Sequence, residues 1–220
     1  GFETPTLGEL SYSGDGGGFN FGLKPAVSHQ AEVGLKAFVG AATRLEAALF
    51  AVRTEDEVVV AESSGGRTSY ANAARTRRHG LELRLESQLA PTLALRGSLT
   101  WMEAEYASGF TNGTVTVATG NRLPGVPRLA ASLELDWQPM RGLTLSAEAL
   151  HRGQREVSDR NDARAAPAYT LLNLAVATEQ QRGAWSLRQM LRVDNVLDRT
   201  YVSSVIVRQA QARFYEPGPT

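Results

Sequence analysis

The chain has 220 residues, 42% of them hydrophobic, with 23 basic and 23 acidic side chains that cancel to a formal net charge of zero. That balance excludes a nucleic-acid footprint built on a strong positive excess, and the lack of cysteine excludes disulfide scaffolds, thiolate metal sites and cysteine nucleophiles. No apolar run approaches the length of a membrane-spanning helix and mean hydropathy is -0.23, but a barrel strand, apolar only at every second position, stays open.

The chain opens on GFETPTLGEL, without a methionine or a charged-then-apolar leader, and reads as an excerpt whose signal peptide lies outside it. SGDGGGFNFG (13–22) is glycine-rich but lacks the GK[ST] ending of a phosphate-binding loop, and no helix follows; it reads as a flexible loop. Period-two alternation, the mark of a strand whose faces meet different surroundings, begins at His29–Val39, with Ala31, Val33, Leu35 and Ala37 opposing Glu32, Gly34 and Lys36. A second strand starts at Arg44, setting Leu45, Ala47, Leu49 and Ala51 against Arg44, Glu46 and Ala48. The basic run RTRR (75–78) reads as a solvated stretch. The third and fourth strands form the hairpin HGLELRLESQLAPTLALRGSLTW (79–101), in which Leu81, Leu83, Leu85 and then Leu93, Leu95, Leu99 and Trp101 alternate with polar residues. The fifth strand is Leu129–Trp137 and the sixth Leu143 to about Arg152. The seventh holds Leu172, Leu174 and Val176, and the eighth Trp185, Leu187, Leu191 and Val193. Helical spacing nowhere persists long enough to compete.

Two environments suit such strands. In a soluble sandwich the leucine face packs on a second sheet; in an outer-membrane barrel it meets lipid while the charged face lines a hydrated lumen. The connections separate the two. They are short at GAAT (40–43), LAPT (89–92), QPMRG (138–142) and EQQRGA (179–184), and long near 54–70, 107–125 and 153–167. A sandwich has no reason to gather its long loops at one end, whereas membrane barrels have short turns on one side and long loops on the other. Several segments also reach the roughly 10 residues that a tilted strand needs to cross a bilayer, beyond the 5 or 6 or so usual in globular proteins. Trp137 and Trp185 fall beside short turns, and Trp101, Tyr106 and Tyr169 toward long loops, where interfacial girdles sit. The charged face, with Glu46, Glu82, Arg84, Glu86, Arg96, Glu134 and Glu148, cannot occupy a dry core. The fold class read from these patterns is all-β, an antiparallel transmembrane β-barrel segment.

Signals for catalysis are weak. His29, His79 and His151 are far apart, with no HxH or HxxxH spacing, so no metal site is expected. GxSxG is missing, and no local pattern pairs a serine with a histidine as in an outer-membrane hydrolase. The carboxylate pairs Glu103/Glu105 and Glu55/Glu57 read as solvated loop approaches. No catalytic residue and no cofactor is expected, and the chain is read as a non-enzyme.

Five stretches, in order along the chain, carry a family likeness. GFETPTLGEL (1–10) resembles an F-x-x-P-x-x-x-E-L loop, and LKPAVSHQAEVGLK (23–36) an L-K-P-E-x-S strand entry, both of TonB-dependent outer-membrane receptors. ARTRRHGLELRLESQL (74–89) resembles their G-x-E-L strand, and GNRLPGVPR (120–128) the opening of a descending strand. RVDNVLDRTYVSSVIV (192–207) with ARFYEPGPT (212–220) resembles their closing region, whose penultimate strand ends in a V-x-N-L-x-D-x-x-Y pattern.

The resemblance implies a 22-stranded barrel plugged by an N-terminal domain in the bacterial outer membrane, importing scarce nutrients under energy coupling from the inner membrane. Residues 1–220 would then be the C-terminal portion of the barrel, about eight strands, with the plug, the earlier strands and the last strand outside it. Its partners would be outer-membrane lipid, TonB through the plug, and a small-molecule ligand. Ferric siderophores are the commonest cargo of the family; the opening loop also looks like that of receptors for pyrroloquinoline quinone. Tyr106, Phe110, Arg155, Arg160 and Arg164 are the candidate ligand contacts, because basic and aromatic side chains suit anionic, aromatic ligands. The rival of another class is a soluble β-domain without transport. An open sheet with a leucine face would aggregate in water, unless eight strands closed alone into a small barrel with a charged interior.

Overall fold

The computed structural model describes residues 1–13, 18–64, 67–112, 115–205 and 215–217. In chain order the elements are β1 (Phe2–Glu3), α1 (Leu7–Leu10), β2 (Ala26–Val39), β3 (Thr43–Ser64), β4 (Arg67–Ala90), β5 (Leu93–Tyr106), β6 (Phe110–Asn112), β7 (Val115–Val117), β8 (Leu129–Met140), β9 (Leu143–Arg152), β10 (Tyr169–Arg182), β11 (Trp185–Val193), β12 (Val202–Val205) and β13 (Tyr215–Pro217). One antiparallel meander, in the order β1-β2-β3-β4-β5-β8-β9-β10-β11, contains every strand that alternation indicated. β6–β7 and β12–β13 form separate hairpins. Among the described residues the sheet is open: β1 and β11 are its edges, and no ladder joins them into a small cylinder.

Register resolves the question of surroundings. Leu45, Leu85, Gly97, Leu133, Ala149 and Leu172 lie directly opposite one another across six strands, and Leu35, Ala47, Leu83, Leu99 and Ala131 form the next row. Among the described residues no second sheet covers them. Leu35 is 66% exposed, Leu133 50% and Leu191 66%, which rules out the sandwich, where this face would be the core. An apolar face this broad is a membrane surface or an interface.

The other face carries ion pairs along and across the strands. Lys36 meets Glu46 at 3.0 Å, Arg44 bridges Glu46 and Glu86, Arg96 reaches Glu134 at 2.8 Å and also Asp136, and Arg192 binds Glu148 at 2.6 Å and Asp194 at 2.7 Å. Half-exposed pairs of this kind add little stability, about 0–1 kcal/mol each. Their consequence is a wet wall of paired charges, with carboxylates outnumbering cations, that suits a lumen. Phe50 is an apolar exception on this face, and its ring lies over Gly80.

Three expectations need correction. The long connection at 54–70 is strand: β3 and β4 run 22 and 24 residues and stay paired out to Ser64 and Arg67. Alternation missed it because Asp56 takes φ 53° and the register shifts between Val60 and Glu62, and each such irregularity swaps the faces of the residues beyond it. At about 3.3 Å per residue β4 is about 80 Å long, more than twice a bilayer core, so this hairpin projects well beyond the apolar band.

The girdle is smaller than expected. Trp101, Trp137 and Trp185 are exposed on the leucine face. Tyr106 is buried, and Tyr169 turns its ring to Arg155 and Tyr201, because both fall in the opposite parity. The glycine-rich stretch is partly tied down rather than flexible: Asn20 donates its backbone N–H to the Leu10 carbonyl (2.7 Å) and its side-chain amide to the Tyr70 carbonyl (2.9 Å). Residues 14–17 of that stretch lie outside the described residues. The one helical turn among the described residues, α1, was too short to show a period; Thr6 and Glu9 close it with a reciprocal capping box.

Candidate functional site

Burial is concentrated at the end of the sheet that carries the long connections. Ala73, Ala104, Tyr106, Val117 and Leu123 form a small core, with Val59, Met102, Phe110 and Val126 packed against it. The segment after β7 folds back along β5: Tyr106 N–H donates to the Asn121 carbonyl (2.8 Å), Leu123 N–H to Ala104 (3.0 Å) and Met102 N–H to Arg128 (2.9 Å). The 107–128 connection is therefore a flap that returns along the edge of β5, where Glu105 forms a β-bridge with Arg122, and packs Val117 and Leu123 with Tyr106.

The 153–168 connection locks onto this flap. Tyr106 Oη donates to Asp159 Oδ1 at 2.5 Å. The Asn121 amide donates to the Asp159 carbonyl (2.9 Å), and Gly125 N–H to the Glu156 carbonyl (2.9 Å). Asn161, at φ 54°, uses its side chain as a surrogate backbone, accepting from Arg122 N–H (2.6 Å) and donating to the Arg122 carbonyl (3.0 Å). Asparagine tolerates that left-handed conformation where most residues do not. Asp159 is 5% exposed, and burial pushes its carboxyl above the ordinary carboxylate value while the Tyr106 hydroxyl partly offsets this.

The five sequence-derived candidates divide between two environments. Tyr106 and Phe110 meet, ring centroids 5.2 Å apart, with Tyr106 inside the cluster and Phe110 at its margin. Arg155 is buried; its guanidinium donates to the carbonyls of Val202 (2.6 Å) and Ser203 (3.1 Å) and lies over the Tyr169 ring, docking β12 against the loop. Arg160 is exposed and pairs with Asp162 at 2.7 Å, and Arg164 is exposed on the same loop. The loops thus present Arg160 and Arg164 at the surface and leave Phe110 half-buried at the margin of the core, while Tyr106 and Arg155 hold the framework behind them.

Sequence reasoning missed Asp159, Asn121 and Asn161, which join the loops. Only the turn-forming SDRND string (158–162) signalled anything there. The tempting carboxylates are neutralised: Glu103 by Arg122 and Arg128, Glu105 by Arg77, Glu57 by Arg78. Among the described residues no group of three His, Asp or Glu side chains gathers as metal ligands would.

Comparison with known proteins places this arrangement. The family model for the TonB dependent receptor-like β-barrel matches residues 1–196. The ferrioxamine receptor of Yersinia enterocolitica is 28% identical over 185 residues, 83% of this chain and 25% of that receptor. The ferrichrome outer membrane transporter/phage receptor of Escherichia coli K12 is 30% identical over 133 residues, 58% of this chain and 17% of that protein. The chain therefore spans a quarter or less of these relatives' lengths. Among solved structures, the copper transporter OprC superposes with a TM-score of 0.75 at 19% identity, covering 99% of this chain and 33% of OprC. The ferric yersiniabactin receptor FyuA of Yersinia pestis gives 0.67 at 22% identity, covering 89% and 29%. At such identities the superpositions speak for the fold alone. With the family match over residues 1–196, the bare leucine face and the charged inner wall, the chain belongs to the TonB-dependent receptors of the bacterial outer membrane, where it forms part of the β-barrel.

Proposed function

We propose that this chain is the C-terminal wall of a receptor that imports a ferric siderophore, with the plug and the remaining strands elsewhere in the protein. The observation that carries the reading is the joined pair of long loops above a charged inner wall, in a chain related to a ferrioxamine receptor. Phe110, Arg160 and Arg164 supply an aromatic and cationic rim, and Tyr106 and Arg155 fix the loops that carry it. Ligand would settle against the rim before passing inward, with energy coupling reaching the barrel through the plug and TonB. Such a role asks for binding and movement, not for a nucleophile.

The test is a titration of the intact receptor with ferrioxamine, ferrichrome, pyrroloquinoline quinone and a copper(II) salt, read by intrinsic fluorescence. Saturable binding of a ferric siderophore alone supports the proposal. Binding of only the quinone or only copper overturns the cargo.

A further inference from the structure

The RTRR run divides between the two faces of β4. Thr76 and Arg78 turn inward, where Arg78 Nη1 donates to Glu57 at 3.0 Å. Arg75 and Arg77 turn outward, on the face of His79, whose ring packs edge-on against Trp101 with centroids 6.1 Å apart. Directly across the ladder Arg77 stands opposite Arg53, and Arg53 opposite His29. Side chains opposed in this way have Cβ atoms about 4.5–5.5 Å apart, close enough for like charges to weaken the pairing.

The described residues do not balance this row. Glu105 pairs with Arg77, and Glu55 lies opposite Arg75, but among the described residues no carboxylate comes within ion-pair distance of Arg53. Arg53, Arg75, Arg77 and His79 are all exposed. The row sits four residues beyond Leu49, Leu81 and Trp101, where the apolar band ends. Four residues of tilted strand rise roughly 10 Å. That is the height of the headgroup layer for arginines that extend along the wall.

We propose that Arg53 and Arg77 hold the phosphate of a lipid headgroup in the leaflet on the long-loop side, as a built-in lipid site on the outer wall of the barrel. A guanidinium matches a phosphate bidentately, and an anion between Arg53 and Arg77 turns their repulsion into a bridge. The acyl chains of the same molecule run down over Leu49, Leu81 and Trp101, so headgroup and tail are recognised on one strip of wall. This rests on the membrane reading of the leucine face.

The test uses the intact receptor in neutral detergent, titrated with phosphatidic acid and followed by native mass spectrometry. Phosphatidylcholine and inorganic phosphate are the comparison probes, and heat-modifiable gel migration reports folding. Arg53→Ala is the primary variant, because it breaks no ion pair among the described residues. Each arginine removed is expected to weaken phosphatidic acid binding roughly fivefold, while Arg53→Lys keeps most of it and Arg141→Ala, in the turn at the opposite end, changes nothing. Unchanged affinity in both Arg53→Ala and Arg77→Ala overturns the site, as does inorganic phosphate that competes as well as the lipid. A wild-type receptor that fails to enter membranes at all would instead bring down the reading beneath it.

Discussion

Tyr106 and Asp159, 53 residues apart, share a buried hydrogen bond of 2.5 Å that joins the end of β5 to the 153–168 loop. Replacing Tyr106 by Phe leaves the Asp159 carboxyl buried without its donor. The loop junction is expected to lose about 1–3 kcal/mol. Faster hydrogen exchange in residues 120–128 and 153–168, with the strands unchanged, would be the sign.

The same carboxyl makes the junction pH-dependent. Burial raises the Asp159 pKa above its ordinary value of 3.8, so the folded loop binds the proton more tightly than the free chain. Its contribution is therefore greatest below pH 3.8 and diminishes as pH rises through the raised folded value. Hydrogen exchange, corrected for intrinsic rates, should show the 153–168 loop better protected at the acid end of that window. Asp159→Asn should flatten the profile; a loop that tightens with rising pH would refute the assignment.

Gly80 is fixed by its neighbours. A Cβ there would come within 2.7 Å of the Phe50 ring and closer still to the Trp101 carbonyl. Gly80→Ala is expected to destabilise the barrel by about 1–3 kcal/mol through overpacking. Urea unfolding of the intact receptor in lipid, followed by tryptophan fluorescence, would measure it.

At the rim, Arg160→Ala and Arg164→Ala are expected to lower siderophore affinity several-fold without altering heat-modifiable migration. Arg155→Ala should also loosen β12, since it removes the donors to the Val202 and Ser203 carbonyls. Paired affinity and hydrogen-exchange measurements separate the two effects.

The parts of this fold that alternation could reach were legible. Leu81, Leu83 and Leu85 against Glu82, Arg84 and Glu86 needed only period two, because one face is apolar and the other wet. The extension of β3 and β4 past Asp56 was not legible, because its irregularities break the period while hydrogen bonding continues. Tyr106 was picked out as an aromatic near a long loop, but its burial depends on Asp159, far away in the chain. Loop-to-loop bonds such as Asn161 to Arg122 leave no local trace, since either residue alone reads as an ordinary loop polar group.

Which face meets lipid can be read most directly by single cysteines, because this chain has none of its own. Leu133→Cys and Leu135→Cys on one face, and Ser132→Cys and Glu134→Cys on the other, would be treated in outer membranes with a charged maleimide. Positions 132 and 134 should label from the hydrated lumen, and 133 and 135 should stay protected until the membrane is dissolved. Equal labelling of all four, or protection of 132 and 134 alone, would contradict the orientation of the wall.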